Sequence, residues 1–440
     1  MLRSFRLVNH RSFADEQELL LMPATKSSRS VVPVTAIYGA NASGKSNLLS
    51  GLMFMHSAVL QSFARWEIEG NIPRQPFRLR SECRELPSSF VIEIVVDGVA
   101  YTYGFTLDDD SIHEEWLYSY PEKRRRVLFE RVGSDIKFGS TVADLKSRLE
   151  VLEELTRPNA LFLSAAARTK LAPIMPVYDW FRSSLRIRWQ VGRTFRLAEA
   201  VQRFINRRDG NINRLLALLA AADVGITGLR VEEADDPTLV ARLSRVETRL
   251  VEAEEDDPQG NLLSTAKMEN LRTEREYLIR QIEDRRAELK FIHGSGGELF
   301  GLAEESAGTR SWLELLPIVL EALELGSVVV VDEIDTSLHP LLTAQLVGLF
   351  QDADTNQNNA QLIFTTHDTT LLGTMVGDSV LERDQIWFVE KGRLGASSLY
   401  ALTDFKPRSG QNTERRYLGG SYGAVPVLDS QEFADAVLKS

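Results

Sequence analysis

The sequence has one cysteine and no long apolar run. These two features exclude a protein held by internal disulfides or cysteine-bound metal, and a protein with a membrane-spanning helix. A single thiol, Cys83 among 440 residues, cannot form an internal disulfide or a cysteine-based metal site. No stretch approaches the ~18 consecutive apolar residues that a membrane-spanning helix needs. The first residues, MLRSFRLVNHRSF, lack the apolar core and cleavage site of a signal peptide. The sequence therefore predicts a cytoplasmic protein without membrane contact.

The charge is negative overall but unevenly distributed. The formal net charge of −11 argues against a protein that coats nucleic acid. Residues 121–210, however, carry 19 Lys and Arg against 10 Asp and Glu. This basic segment is either a surface for a polyanion such as DNA or a solvated face with internal ion pairs. The sequence leaves both interpretations open.

Hydrophobic periodicity predicts an α/β fold with an added antiparallel β-layer. Alternating patterns predict a hairpin over 1–22, a second hairpin over 89–107 with Asp97-Gly98 at its turn, and a strand pair within 112–139. Continuous apolar runs, which are typical of strands buried on both faces, occupy 31–38 and 328–331. Alternation of strands and helices after residue 311 indicates parallel βα units.

The middle of the chain is predicted to be helical, and it divides the chain into three regions. Residues 237–256 and 262–290 have helical spacing and are separated by DDPQGN, which favours a short two-helix hairpin over a long coiled coil. The predicted regions are an N-terminal lobe (1–140), a helical insertion (141–290) with its hairpin at about 237–290, and a C-terminal lobe (291–440).

The strongest chemical signal is a glycine-rich loop between a predicted strand and a predicted helix. Residues 39–46, GANASGKS, match G-x-x-x-x-G-K-[ST], in which backbone N–H groups and a helix N-terminus bind phosphates. The residues of this loop expected to bind a nucleotide are Gly39, Asn41, Ala42, Ser43, Gly44, Lys45, Ser46 and Asn47. Lys45 would contact the β- and γ-phosphates, and the Ser46 hydroxyl would bind Mg²⁺. The competing interpretation is a glycine-rich turn without a ligand.

Two carboxylates end the apolar run VVVV. Asp332 and Glu333 are predicted at the carboxyl end of a central strand, where α/β sheets bind ligands. Asp332 would hold Mg²⁺, and Glu333 would polarise an attacking water. Alone, this pattern is also explained by a helix cap. His367 ends a further apolar strand and would point at the γ-phosphate, although a lone histidine is more often a surface residue.

Together these motifs resemble the ABC-type ATPases of the SMC, RecF and OLD group. The resemblance implies ATP and Mg²⁺ as cofactors, Walker A and B motifs at GANASGKSN and VVVVDE, and a switch role for His367. It also implies a signature loop at Ser306-Ala307-Gly308, although the common Leu-Ser-Gly-Gly-Gln form is not kept. Asp335 lies in the segment DEIDTSLHP, which resembles the family's loop that crosses the dimer interface. Gln75, just before Pro76-Phe77, is at the position that resembles the family's metal-sensing glutamine.

Further motifs narrow the resemblance to bacterial ATPases of abortive infection and antiphage defence, such as the RloA, AbiL and PARIS types. These motifs are NHRSF, Pro76-Phe77, SAGTRS, DEIDTSLHP, TTHD, DQIWFVEK and the late YLGGSYGAVP. The acidic residues after His367 do not have the spacing of the nuclease domain that OLD proteins carry. The resemblance therefore implies an ATPase without its own nuclease.

The sequence thus predicts an ATP-driven switch that controls a separate effector. The expected partners are a second copy, which would sandwich ATP between P-loop and signature loop, and a nuclease or toxin encoded nearby. DNA or a phage protein is a possible trigger. The alternatives are a DNA-repair ATPase of the RecF or SMC kind and a scaffold that binds ATP but barely hydrolyses it; an intact Glu333 argues against the scaffold.

Overall fold

The computed structural model describes residues 1–24, 29–140, 145–188, 194–232, 237–256, 268, 271–279, 288–294, 296–375, 378–405, 412–426 and 430–438. The strands, numbered in chain order, are β1 (Leu2–Val8), β2 (Gln17–Leu20), β3 (Val34–Tyr38), β4 (Ser88–Val96), β5 (Val99–Leu107), β6 (Ile112–Tyr120), β7 (Arg126–Val132), β8 (Asp135–Phe138), β9 (Leu185–Arg188), β10 (Ile226–Glu232), β11 (Glu288–His293), β12 (Leu299–Gly301), β13 (Val328–Val331), β14 (Gln361–Thr365), β15 (Thr374–Met375), β16 (Asp378–Ser379), β17 (Ile386–Lys391) and β18 (Ser397–Ala401).

The α-helices are numbered in the same way. They are α1 (Lys45–Arg65), α2 (Glu82–Glu85), α3 (Lys146–Leu155), α4 (Phe162–Arg168), α5 (Met175–Asp179), α6 (Thr194–Arg207), α7 (Asn211–Ala221), α8 (Pro237–Asp256), α9 (Ala307–Leu325), α10 (Pro340–Gln351), α11 (Thr413–Leu418) and α12 (Ser430–Leu438). Residues 271–279 are also helical. Within the described ranges, every helix is too short or too polar to cross a bilayer.

An antiparallel sheet forms the first layer, as the alternating patterns predict. Its strand order is β2-β1-β4-β5-β6-β7-β8, and each neighbouring pair is antiparallel. Strands β4 and β5 are joined at Asp97 and Gly98, whose φ angles of 48° and 77° are those of a two-residue hairpin turn. Both predicted hairpins are therefore confirmed.

A second sheet carries the glycine-rich loop. Its strand order is β18-β17-β3-β14-β13-β9, and β3 lies between β17 and β14 with parallel pairing on both sides. The four valines of β13 are buried, as expected for a strand covered on both faces. β13 pairs in parallel with β14 and β9, whereas β18 pairs antiparallel with β17. The prediction of parallel βα units is confirmed, and the mixed sheet with its added antiparallel layer gives the expected α/β class.

Helix α1 joins the two sheets through one hydrophobic core. Its buried Leu48, Leu52 and Met55 belong to the same cluster as Phe90 of the antiparallel sheet and Ile363 of the parallel sheet. Because α1 begins at the last residues of the glycine-rich loop, this packing fixes the direction in which the loop leaves β3.

A buried ion pair also ties the antiparallel sheet to a helix. Glu115 is 0% exposed and lies 3.7 Å from the Arg131 guanidinium. The Glu115 carboxylate accepts hydrogen bonds from the backbone N–H groups of Phe162 (2.6 Å) and Leu163 (2.9 Å), at the start of α4. Burial raises the pKa of Glu115, and the nearby Arg131 opposes that rise.

The chain forms two compact units, and their boundaries differ from those predicted. The first unit comprises residues 1–190, 321–335 and 339–440, and the second comprises 191–320 and 336–338. Helices α3 to α5 lie in the first unit rather than in a helical insertion, because residues such as Leu152 and Phe162 share its core and β9 pairs with β13. The loop around Ser306 lies in the second unit rather than in a C-terminal lobe.

The predicted helical hairpin lies in the second unit, as far as the described residues extend. Leu239, Val246 and Leu250 of α8 form one apolar cluster with Leu271 and Leu278. The ion pairs Arg242–Glu274 (3.9 Å) and Arg275–Glu247 (3.2 Å) join the same two segments. Residues 257–267, 269–270 and 280–287 fall outside the described residues, and they include most of the expected turn DDPQGN. Residues 288–290, predicted as the end of the second helical arm, instead begin strand β11, so the prediction is wrong there. Strands β10, β11 and β12 form an antiparallel sheet that the prediction missed.

Candidate nucleotide site

The glycine-rich loop follows β3 and is held by residues distant in sequence. A Cβ atom at Gly39 would collide with the backbone oxygen of Val389. Gly44 precedes α1 with a left-handed φ of 119°, and a Cβ atom there would collide with the hydroxyls of Ser12 and Ser397. Both glycines are therefore required by space, and at Gly44 also by backbone conformation.

Lys45 is the first residue of α1 and turns back over the loop. It is 6% exposed, and its ammonium donates to the carbonyl oxygens of Gly39 (2.8 Å) and Ala40 (3.2 Å). Burial lowers the pKa of Lys45 to about 8, while the carboxylates of Asp332 and Glu333 partly oppose that shift. The structure thus holds a buried ammonium beside acidic groups at the start of a helix.

The Asp332 carboxylate, just after β13, connects that strand to the neighbouring strand β14 and to helix α1. Its Oδ1 accepts hydrogen bonds from the Ser46 hydroxyl of α1 (3.1 Å) and from the Thr365 hydroxyl of β14 (2.6 Å). Its Oδ2 is buried and has no hydrogen-bond partner among the described protein atoms. A carboxylate oxygen left open beside a serine hydroxyl fits Mg²⁺, which prefers oxygen ligands. Ser46 and Asp332 are therefore suited to the metal role predicted for them.

Glu333 has a backbone conformation that is unusual for glutamate. Its φ is 51°, in the left-handed region, and its backbone N–H donates to the Thr365 hydroxyl at 2.7 Å. Such a conformation costs of order 1–3 kcal/mol and persists only where neighbours impose it. The Thr365 hydroxyl therefore contacts both acidic residues: it donates to the carboxylate of Asp332 and accepts from the backbone N–H of Glu333.

His367 lies just after β14, as the strand-end prediction expects, and its surface is exposed; its orientation toward a γ-phosphate stays a prediction. Its backbone N–H lies 3.3 Å from each carboxylate oxygen of Asp335. Partial desolvation of the ring lowers the pKa of His367, the positive charge of Lys45 lowers it further, and Asp335 and Glu333 oppose the shift. The imidazole is therefore predominantly neutral at pH 7, in the electrostatic field of Lys45 and the acidic residues.

A groove of about 630 Å³ lies beside the first turn of α1 and contains Gln75. Asn47 lines it and donates from Nδ2 to the Ser12 hydroxyl at 2.8 Å, and the Asn47 side-chain oxygen lies 3.4 Å from the Arg11 guanidinium. The Gln75 carbonyl oxygen accepts from the Arg11 backbone N–H at 2.7 Å. The structure thus places Gln75 in the same groove as Asn47, and its contact with a metal stays a prediction.

The remaining loop residues differ in their surroundings. Asn41 and Ala42 are exposed, and Ala42 has a left-handed φ of 60°. Ser43 is 3% exposed, and its buried hydroxyl has no hydrogen-bond partner among the described protein atoms. A buried hydroxyl without a partner fits a phosphate oxygen as its acceptor.

The predicted signature loop lies in the second unit and begins α9. The Ser306 hydroxyl accepts from the Thr309 backbone N–H at 3.0 Å, so it caps the helix. The preceding Glu305 is 5% exposed in its side chain and pairs with His293 at 2.7 Å. Gly308 approaches a backbone closely, because a Cβ atom there would lie 2.8 Å from the Ser337 oxygen. Ser306 itself is exposed.

Two features of this site were missed by sequence reasoning. One is Thr365, whose only sequence signal is its position at a strand end, directly before Thr366 and His367. Ser397, which donates to the Ser12 hydroxyl at 2.8 Å, carries no local signal because it lies 385 residues away. Among the described residues, no three His, Cys, Asp or Glu side chains form a cluster that could hold a metal ion.

Comparison with known proteins identifies the family. Residues 34–373 match the family described as "AAA domain, putative AbiEii toxin, Type IV TA system". The chain belongs to this family. Membership makes it an ATPase of the AAA/ABC type, which confirms the predicted class, and the abortive-infection character of the family agrees with the resemblance seen in the motifs.

The solved structures that resemble the chain are distant. They include an SMC head bound to the C-winged helix domain of ScpA (14% identity, TM-score 0.39, covering 92% of this chain and 99% of that chain). Another is the SMC head domain from Thermotoga maritima (13% identity, TM-score 0.38, 91% and 98%). At this distance the similarity carries no inference about partners. No curated protein matches the chain.

The low pKa of Lys45 predicts pH-dependent binding of ATP. Only the ammonium form attracts phosphates, and a group with a pKa of about 8 loses most of its charge between pH 7 and pH 9. The affinity for a non-hydrolysable ATP analogue, measured by calorimetry, should therefore fall about tenfold over this range. Lys45→Ala should bind weakly at both pH values. A constant affinity in the wild type would contradict the expected titration of Lys45.

The double role of Thr365 predicts a loss of turnover when its hydroxyl is removed. Thr365→Val keeps the side-chain shape but deletes both hydrogen bonds, so ATP hydrolysis should fall about tenfold or more. Thr343→Val is the matched control, because the buried Thr343 hydroxyl has no hydrogen-bond partner among the described protein atoms. Steady-state phosphate release should separate the two variants, and an equal effect in both would refute this role.

Proposed function

We propose that the chain is an Mg²⁺-dependent ATP-hydrolysing switch of a bacterial antiphage defence system that controls a separate effector. The observation that carries the proposal is the Asp332 carboxylate, which is held by Ser46 and Thr365 and leaves one buried oxygen open. Asp332 and Glu333 directly follow β13, and the charge of Lys45 lies close enough to both for an electrostatic effect. Family membership supports the link to toxin–antitoxin or abortive-infection systems.

The residues of the chain divide the proposed chemistry among them. Lys45 and the loop N–H groups would bind the phosphates, and Ser46 with Asp332 would hold the metal ion. Bound Mg²⁺ would supply charge neutralisation on the phosphate oxygens. The Glu333 carboxylate would orient the attacking water, with the neutral His367 ring hydrogen-bonding near the γ-phosphate.

The proposed switch uses two copies of the chain. Each P-loop would face the Ser306-Ala307-Gly308 loop of the other copy, with Asp335 near the interface, so that ATP is bound by both copies. ATP would then have a higher affinity for the paired state, which is the requirement for a ligand to shift an equilibrium. Hydrolysis would release the pair and change the state of an effector such as a nuclease or toxin.

Glu333→Gln should separate binding from hydrolysis. The amide keeps the shape of the side chain but loses the charge that polarises water, so turnover should fall by at least about a hundredfold. The affinity for ATP should stay within about threefold of the wild type, and this variant should accumulate as an ATP-bound dimer by mass measurement. Full activity of Glu333→Gln would show that Glu333 does not take part in hydrolysis. In a separate test, chelation of Mg²⁺ by EDTA should abolish turnover of the wild type if hydrolysis depends on the metal.

Mixed dimers test whether the sites are shared between copies. Lys45→Ala inactivates the P-loop side, and Ser306→Arg blocks the signature side with a bulky cation. In a mixed dimer, one site receives both defects and the other receives neither, so mixing the two inactive variants should restore partial turnover. No recovery despite demonstrated mixed dimers would contradict independent composite sites.

The effector link is tested by copurification of the adjacent gene product with the wild type and with Glu333→Gln, in the presence and absence of ATP. Nucleotide-dependent association supports control of an effector. No association, together with stimulation of turnover by DNA, would favour a repair ATPase.

A further inference from the structure

The hairpin of β17 and β18 lies after the residues matched by the family, yet it contacts the glycine-rich loop directly. The two strands pair antiparallel, with Lys391 opposite Ser397. Ser397 is 3% exposed, and its backbone N–H donates to the Ser12 carbonyl oxygen at 2.7 Å. A Cβ atom added to Gly44 would lie 2.4 Å from the Ser397 Oγ. The first residue of β18 is therefore fixed against both the loop and the segment between β1 and β2.

The Ser397 hydroxyl reaches the backbone of the glycine-rich loop. It donates to the Ser43 carbonyl oxygen at 2.5 Å and lies 2.8 Å from the Ser12 hydroxyl oxygen, which also accepts from Asn47 Nδ2 at 2.8 Å. A hydroxyl has a single proton, and the shorter of its two contacts here is the one with Ser43. This bond is buried, so the loss of its donor would leave the Ser43 carbonyl oxygen unsatisfied.

This hydrogen bond fixes the orientation of one peptide group of the loop. The Ser43 carbonyl and the Gly44 N–H belong to the same planar trans peptide, in which C=O and N–H point in opposite directions. Because the carbonyl oxygen is directed at Ser397, the Gly44 N–H is directed away from Ser397. No hydrogen bond joins this N–H to another of the described residues. It is therefore available to a phosphate oxygen, which is the ligand that the N–H groups of such a loop bind.

We propose that Ser397 is a positioning residue of the nucleotide site, which orients the Gly44 N–H toward a phosphate of the bound nucleotide. This inference rests on the proposed ATP site but not on the dimer or the effector. Without the Ser397 hydroxyl, the peptide between Ser43 and Gly44 loses the donor that holds it, so its N–H is directed at the phosphate less often.

The phosphates that this loop binds determine which step Ser397 affects. The N–H groups of a P-loop contact the α- and β-phosphates, and ADP carries both of them. Ser397 therefore acts on the binding of ATP and ADP alike. It does not act on the activation of water, the step proposed for Glu333.

Ser397→Ala removes the hydroxyl and leaves the backbone hydrogen bond of β18 to Ser12 in place. The affinities for ADP and for a non-hydrolysable ATP analogue, measured by calorimetry, should both fall about fivefold, as expected for the loss of one hydrogen bond. In assays of steady-state phosphate release, KM should rise about fivefold while kcat stays within about twofold, because binding of the substrate and of the transition state weakens equally.

Ser398→Ala is the matched control on the same strand. Ser398 is exposed, and its side chain lies on the opposite face of β18 because successive side chains of a strand alternate. Its KM and kcat should stay within about twofold of the wild type. A purely structural role of Ser397 would lower the folded fraction, and with it kcat per total protein and the thermal midpoint, but would leave KM unchanged. That result, or equal effects in the two variants, would overturn the inference.

Ser397→Cys covers the case in which Ser397→Ala does not fold. The thiol has a similar shape and is a weaker donor, so KM for ATP should still rise, by about two- to threefold. An unchanged KM in this variant would also overturn the inference. If the folded wild type binds no nucleotide, both the proposed function and this inference fail. If the wild type hydrolyses ATP and Ser397→Ala keeps the wild-type KM, only this inference fails.

Discussion

The carboxylate of Asp332 is the contact on which the rest of the site depends. One of its oxygens is held by Ser46 and Thr365, which come from two different elements, and the other is left open. This geometry requires β13 to pair directly with β14 and α1 to begin beside their carboxyl ends. The buried valines of β13 and the shared core under α1 supply that alignment. The packing of the strands and of α1 therefore determines the positions of Asp332, Ser46 and Thr365 at the carboxyl edge of the sheet.

The site also contains two energetically unfavourable features, each of which is stabilised by neighbouring residues. Lys45 is a buried ammonium with a lowered pKa, and Glu333 has a left-handed backbone. Each is held by a specific partner: carbonyl oxygens of the loop for the lysine, and the Thr365 hydroxyl for the Glu333 N–H. Strain and desolvation of this kind are typical of binding sites, where a ligand gains from groups that are already oriented.

Local sequence patterns predicted the parts of the site that local geometry determines. The P-loop, the strand before Asp332 and the strand end at His367 could be predicted because each is a short motif between periodic elements. The contact of Ser397 with Ser12 could not be predicted, because it joins residues 385 positions apart and follows only from the order of the strands. The grouping of α3 to α5 with the first unit is also not visible in the sequence, because these helices have ordinary helical patterns and only their packing assigns them to that unit.

The two halves of the proposed composite site are each held by contacts within their own unit. Ser12 and Ser397 pack against Gly44 of the glycine-rich loop, whereas Ser306 caps α9 and the adjacent Glu305 pairs with His293. Neither half requires a second copy to order its loop. In the proposed switch, pre-organised loops would reduce the entropy that association must offset, so more of the binding energy of ATP would be available to bring two copies together. A switch needs this property, because its ligand must favour one state over the other rather than fold the site.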